Sequence, residues 1–123
     1  MASSYSIFID NPCSFDECIS HLENILDISF IKKNDRPWSS AYFGAMGLSI
    51  RITGDLDYED DMGISFSKYS YQLSVDAYTR VNEMRYWSRL EYYMTMYIYS
   101  RICETVNWKC IVLEDLQNLI AGN

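Results

Sequence analysis

The sequence predicts an α+β protein, with a mainly antiparallel sheet packed against two main helices in the approximate order β-α-β-β-β-α-β. Short runs in which apolar and polar residues alternate predict half-buried strands. Two longer stretches repeat apolar residues every three or four positions, which predicts amphipathic helices. The middle runs follow one another without an intervening helix, which favours antiparallel neighbours. At 123 residues, the chain is expected to form one globular domain, residues 1–123.

The first strand is predicted over Tyr5–Asp10, and the turn signal Asn11-Pro12 ends it. Ser14 followed by Glu17 forms a capping-box pattern. A helix is therefore predicted over Phe15–Leu26, with apolar residues at helical spacing. The segment Ile28–Lys32 fits either a strand or the exit from this helix, and the basic run from Lys32 to Arg36 after it is expected to be a polar connection.

The middle of the chain predicts three strands. Trp38–Gly47 is apolar and punctuated by glycine, as in a buried strand with a close backbone approach. Leu48–Thr53 alternates apolar and polar residues, and Tyr69–Val75 does the same after Ile64 and Phe66.

A long helix is predicted over approximately Asn82–Thr105. Its expected core-facing stripe comprises Val81, Met84, Trp87, Leu90, Met94, Tyr97, Ile98, Ile102 and Val106, widened by Tyr86, Tyr92, Tyr93 and Tyr99. Its expected solvated face comprises Glu83, Arg85, Arg89, Glu91, Thr95, Arg101 and Glu104. A strand is predicted over Trp108–Leu113, and the tail Glu114–Ala121 is predicted as a short helix.

Negative charge is concentrated between the Leu48–Thr53 and Tyr69–Val75 strands. Asp55, Asp57, Glu59, Asp60 and Asp61 contribute five of the carboxylates in a chain whose net charge is −7. Such a charge disfavours nucleic acid and anionic membrane as partners, because phosphate contacts require Lys and Arg. The N-terminal sequence has no signal-peptide pattern and no apolar run approaches membrane-spanning length, so a cytoplasmic protein is expected.

Catalytic, cofactor and metal sites are not predicted. The single histidine, His21, has no nucleophile in an activating context, and phosphate-binding glycine loops are absent from the sequence. The four cysteines are expected to be free thiols, with Cys18 buried on the apolar side of the first helix. Calcium binding starting at Asp55 is disfavoured, because Asp60 replaces the required Gly and Phe66 replaces the bidentate Glu.

Protein binding is the better interpretation of the acidic loop. Carboxylates at Asp55, Asp57, Glu59, Asp60 and Asp61 would steer a basic partner. Aromatic anchors would come from Tyr58, Tyr69 and Tyr71. Two alternatives stay open: a solvated connection that only aids solubility, and a non-enzymatic adaptor or regulatory protein that binds through the Tyr-rich flank of the long helix.

A family resemblance extends this interpretation. The pattern runs from Gly44-Ala-Met-Gly-Leu-Ser-Ile through the acidic turn to Gly63-Ile-Ser-Phe-Ser-Lys-Tyr-Ser-Tyr-Gln-Leu-Ser-Val, and continues with the long helix and Ile111-Val-Leu-Glu-Asp-Leu-Gln. It resembles the small immunity proteins of contact-dependent growth inhibition and related bacterial polymorphic toxin systems. The resemblance implies a cytoplasmic, non-enzymatic α+β protein that neutralises the C-terminal domain of a toxin delivered by a neighbouring cell. Such toxins are often nucleases with basic clefts.

Overall fold

The computed structural model of the protein describes residues 4–10, 14–33, 40–45, 47–54, 69–77, 84–116 and 118–123. Within these ranges the elements are β1 (Tyr5–Asp10), α1 (Phe15–Leu26), β2 (Ile31–Lys33), β3 (Ser40–Ala45), β4 (Leu48–Thr53), β5 (Tyr71–Ala77), α2 (Met84–Thr105), β6 (Lys109–Glu114) and β7 (Asn118–Gly122). The strands form one antiparallel sheet in the order β2-β3-β4-β5-β1-β6-β7. The predicted α+β class is confirmed.

Strand β1 lies near the middle of the sheet and is buried on both faces. Ile7 and Ile9 face the helices and join the main core, together with residues of β4, β5, β6, α1 and α2. Phe8 faces the opposite way and is also fully buried, next to Leu113 and in edge contact with the Tyr69 ring at 6.2 Å between centroids. Apolar surface is therefore removed from water on both sides of β1, which is why this strand reads Ile-Phe-Ile without alternation.

Helix α1 has the predicted bounds, and its ends are capped by side chain and backbone. Ser14 Oγ accepts a hydrogen bond from the Glu17 N–H at 3.2 Å, as the capping box predicts. Asp27 ends the helix in the left-handed conformation, with its N–H bonded to the Glu23 carbonyl. Cys18, Ile19, Leu22 and Ile25 form the buried face, so the expected placement of Cys18 is confirmed.

Helix α2 is rotated relative to the sequence prediction. Thr95, expected on the solvated face, is fully buried and donates its hydroxyl hydrogen bond to the Glu91 carbonyl at 2.7 Å. Glu91, also expected in solvent, is only 9% exposed. Conversely, Leu90 and Tyr97 were expected to face the core and are exposed. Ile98 and Ile102 are buried as predicted, but the prediction was wrong at these other positions. Because α2 carries apolar residues around most of its circumference, spacing alone does not define its buried face.

The predicted C-terminal helix over Glu114–Ala121 is also wrong. Asp115 and Leu116 adopt positive φ angles of 54° and 59°, which reverse the chain after β6. Strand β7 then pairs antiparallel with β6, with a bulge at Val112/Leu113. The sequence did not predict this turn, because Asp115 and Leu116 occupy positions where Gly or Asn is usual.

Glu91 fixes the end of β5 to α2, since its carboxylate accepts a hydrogen bond from the Ala77 N–H at 2.9 Å. We expect Glu91→Ala to lower the free energy of unfolding by about 1–3 kcal/mol, because the amide loses its acceptor. Glu91→Gln keeps an acceptor oxygen and is expected to retain the contact. Urea unfolding measures both variants. Equal stability of Glu91→Ala and the parent protein would contradict the assigned role.

The same carboxylate makes a pH-dependent contribution. Burial raises the pKa of Glu91, the Ala77 hydrogen bond opposes that rise, and the nearby Asp76 charge adds to it. A pKa raised in the folded state means that the folded protein holds the proton more tightly than the unfolded chain. Stability is therefore lost as pH rises from the unfolded pKa through the folded pKa. Below the unfolded-state pKa, we expect Glu91→Gln and the parent protein to be equally stable. As pH rises through the folded-state pKa, Glu91→Gln is expected to become the more stable of the two. A stability difference that does not change with pH would contradict this.

Candidate partner-binding site

The predicted contact residues divide into two groups. Asp55, Asp57, Tyr58, Glu59, Asp60 and Asp61 lie outside the described residues, so their assignment as contacts stays a prediction. Tyr69 and Tyr71 lie within them. We use the name acidic segment for residues 55–61.

The residues that flank the acidic segment on either side are bonded to the sheet. Thr53 of β4 pairs with Gln72 of β5, so the connection between these strands leaves and returns at the same sheet end. Just before β5, the Ser70 N–H donates to the Ile9 carbonyl at 3.0 Å. The connection is therefore tied to two neighbouring strands at its return point.

Phe15 packs against both flanks of this connection. The Phe15 and Tyr71 rings lie 5.9 Å apart between centroids. Gly54 is buried beside the same ring, and a Cβ atom added to Gly54 would lie 2.8 Å from Phe15 Cδ1. The first residue of α1 thereby joins the end of β4 to the start of β5, at the base of the acidic segment.

The two described tyrosines differ in their exposure. Tyr71 is 7% exposed and belongs to the main core, so its ring does not fit the predicted contact role. Tyr69 is half-buried against Phe8. Burial, followed by the charge of Asp10, raises the pKa of the Tyr69 hydroxyl. Both rings act as supports at the base of the connection, and Tyr69 retains partial access to solvent.

The structure brings further carboxylates to this end of the sheet. Asp10 ends β1 one residue after the Ile9–Tyr71 pair, while Asp16 and Glu17 form the first turn of α1, directly after Phe15. All three are exposed. We call this group, with the end of the sheet that carries it, the acidic end. Sequence spacing did not predict it, because the three residues lie 38 to 45 positions before the start of the acidic segment.

Positive charge also reaches the acidic end. Lys32 Nζ lies 3.3 Å from Asp16 Oδ1, and Lys109 pairs in register with Asp10. Lys33, at the end of β2, also lies at this end of the sheet, because Lys33 pairs with Ser40 and Ser40 pairs with Thr53. The Lys32–Asp16 pair is solvent-exposed on both sides, so it contributes little to stability and a charged partner can displace it.

The described residues offer little reactive chemistry. No three His, Cys, Asp or Glu side chains among them come together as a metal site requires. Cys18, Cys103 and Cys110 are free thiols, as expected. Burial, with smaller contributions from Cys103 and Asp10, raises the pKa of Cys110 to about 12, which keeps that thiol protonated and unreactive. His21 is exposed and makes an edge contact with the Trp108 ring, with centroids 5.7 Å apart.

Comparison of the chain with protein-family models, curated proteins and solved structures finds no match. In the described part of the chain, neither helix has the length and hydrophobicity needed to cross a membrane.

Gly54 provides a test of the packing beneath the acidic segment. We expect Gly54→Ala to lower the free energy of unfolding by about 1–3 kcal/mol, because the new methyl group displaces the Phe15 ring from its contact with Tyr71. Chemical denaturation measures the loss. Gly44→Ala is the matched control, since its nearest neighbour would be the Leu48 carbonyl at an ordinary 3.7 Å. Equal stability of the two variants would show that the Phe15 junction is not close-packed.

Proposed function

We propose that this chain is an immunity protein that binds and neutralises the toxin domain of a neighbouring bacterium, through its acidic end and the adjoining acidic segment. It would act in the cytoplasm, without catalysis or a cofactor. The observation that carries the proposal is the convergence of Asp10, Asp16 and Glu17 on the sheet end where the β4–β5 connection begins and returns. Charge from the end of β1 and the start of α1 thereby lies at the sheet end where the connection that carries the acidic segment begins and returns.

Electrostatics favours a basic protein as the partner. Eight carboxylates belong to the acidic end and acidic segment together, out of 17 Asp and Glu residues in the chain, against three lysines, Lys32, Lys33 and Lys109, that the described residues place at the same end. A field concentrated in this way accelerates encounter with an oppositely charged surface and disfavours acidic competitors. A nuclease presents such a surface, because its cleft must attract phosphate. Carboxylates placed at that cleft would compete with the substrate for the same Lys and Arg side chains.

The anchoring of the connection supports the proposal energetically. Gly54 and Tyr71 pack on Phe15, and Ser70 is bonded to β1, so the flanks of the acidic segment are ordered before any partner arrives. Order that already exists in the free protein lowers the entropy cost of association. The resemblance to immunity proteins of polymorphic toxin systems supplies the class of partner, and the charge distribution supplies the surface.

The decisive test is binding to the product of the gene immediately upstream, with stopped-flow or surface-based kinetics at several salt concentrations. We expect a complex whose association rate falls steeply as salt rises. Asp57→Asn/Asp60→Asn/Asp61→Asn is expected to slow association by about tenfold or more at low salt, with a smaller change in dissociation.

The matched control is Asp27→Asn/Asp76→Asn/Asp115→Asn, which removes the same charge from exposed positions away from the acidic end. Asn retains a side-chain oxygen and tolerates the left-handed conformation found at Asp27 and Asp115. The control is expected to leave the association rate within about twofold of the parent protein. Equal effects of the two triple variants would exclude the acidic segment as the contact, and failure to form any complex would exclude the proposed partner.

A further inference from the structure

Helix α2 has a second apolar face, which the described elements of the fold do not cover. Thr95, Ile98 and Ile102 are buried beneath the helix. On the outer side, Leu90 is 43% exposed, Tyr93 is 64% exposed and Tyr97 is 55% exposed. Spacings of three and four residues place these three side chains in one line along the helix. We call them the outer stripe.

The outer stripe is ordered as well as exposed. The Tyr93 ring packs edge-on against Tyr92 at 5.6 Å between centroids, and Tyr92 packs in the same way against Tyr5 of β1 at 5.3 Å. Tyr93 is therefore supported by a chain of rings that begins on the sheet. Scattered exposed apolar residues need no explanation, but an aligned and supported set is typical of an interface.

The residues around the outer stripe are arranged symmetrically about Tyr97. Tyr93 and Arg101 lie four positions to either side, and Leu90 and Glu104 lie seven positions to either side. Arg89 is adjacent to Leu90. A second α2 crossing antiparallel, with a two-fold axis at Tyr97, would bring Arg101 over Tyr93 of the second copy. It would also bring Arg89 close to Glu104 of the second copy, and each contact would occur twice.

We infer that the outer stripe binds a second copy of this chain, through an antiparallel and two-fold symmetric α2–α2 contact centred on Tyr97. At both ends of the contact, Arg89 of one copy would lie close to Glu104 of the other. Between the ends, the Arg101 guanidinium of one copy would lie over the Tyr93 ring of the other. The Arg101–Glu104 pair within one helix, at 3.2 Å and exposed, does not prevent this, because Glu104 can accept from both arginines.

The area of the contact sets its strength. Since a large side chain buries roughly 150–250 Å² in full, the exposed parts of the outer stripe amount to about 300 Å² per copy. The stems of Arg89, Arg101 and Glu104 extend the contact toward about 1,000 Å² in total, the low end for specific interfaces. The dimer is therefore weak, with dissociation in the micromolar range or above.

The inference is independent of the proposed function. The outer stripe lies on the side of α2 away from the sheet, whereas the acidic end lies at one end of the sheet. A dimer formed through α2 would leave both acidic ends accessible, so a dimer of complexes is expected if both proposals hold.

Sedimentation velocity of the purified full chain tests the inference, at loading concentrations from about 10 µM to about 500 µM. We expect a reversible shift from monomer toward dimer. Tyr97→Lys is expected to raise the dissociation constant at least about tenfold, because two lysines would face each other at the axis. Leu119→Lys is the matched control, since it makes the same charge change at a leucine of β7 that is 63% exposed, and it should leave the constant unchanged.

A charge swap tests the antiparallel register. Arg89→Glu alone is expected to weaken the dimer several-fold, and Arg89→Glu/Glu104→Arg is expected to restore it to within about twofold. Restoration requires the two positions to meet across the interface. A protein that stays monomeric throughout, or a dimer insensitive to Tyr97→Lys, would overturn the inference. A dimer lost in Leu119→Lys would assign the contact to β7 instead, and failure of the charge swap to restore binding would overturn the two-fold arrangement.

Discussion

Pairing of β1 with both β5 and β6 is the interaction on which the rest of the structure depends. Through β5, the strand joins the half of the sheet formed by β2, β3 and β4, and through β6 it joins β7. Its residues also supply the centre of the main core on one face and Phe8 on the other. Because antiparallel register determines which side chains face the helices, the position of β1 also determines which surface α1 and α2 can cover.

The acidic end follows from this arrangement. Asp10 is the last residue of β1, and α1 begins nearby because only four residues separate the two elements. Phe15 then packs on the flanks of the β4–β5 connection, which brings the first turn of α1 and its two carboxylates to the same place. One aromatic contact thus relates the core to the charged surface. A packing change at Gly54 therefore tests this site through the stability of the fold, whereas charge changes at the surface test it through the rate of association.

Local signals were sufficient for much of the fold. Ser14 and Glu17 identify the start of α1, and alternation in Leu48–Thr53 identifies the strand β4; both elements agree with the structure. On the polar face expected for β4, Arg51 is exposed but Ser49 is buried. The rotation of α2 was not predictable from spacing, because tyrosines surround the helix and the buried Glu91 carboxylate is satisfied by the distant Ala77 N–H. Strand β7 was missed because Leu119 and Ile120 are adjacent rather than alternating. The carboxylates Asp10, Asp16 and Glu17 could be grouped only after the strand order was known, since pairing between distant segments carries no local sequence signal.

The central position of the first strand has a consequence for synthesis. Tyr5–Asp10 pairs with Lys109–Glu114, so the two partners of this ladder are separated by about 100 residues and most of the chain must emerge from the ribosome before it can close. Non-local pairing of this kind is slow relative to helix formation, because loop closure precedes any stabilising contact. The sheet that carries the acidic end is complete only when this ladder has closed. Under the proposed function, a cell would therefore depend on a pool of finished, folded molecules, since a nascent chain without β6 would not yet have the complete sheet beneath the acidic end.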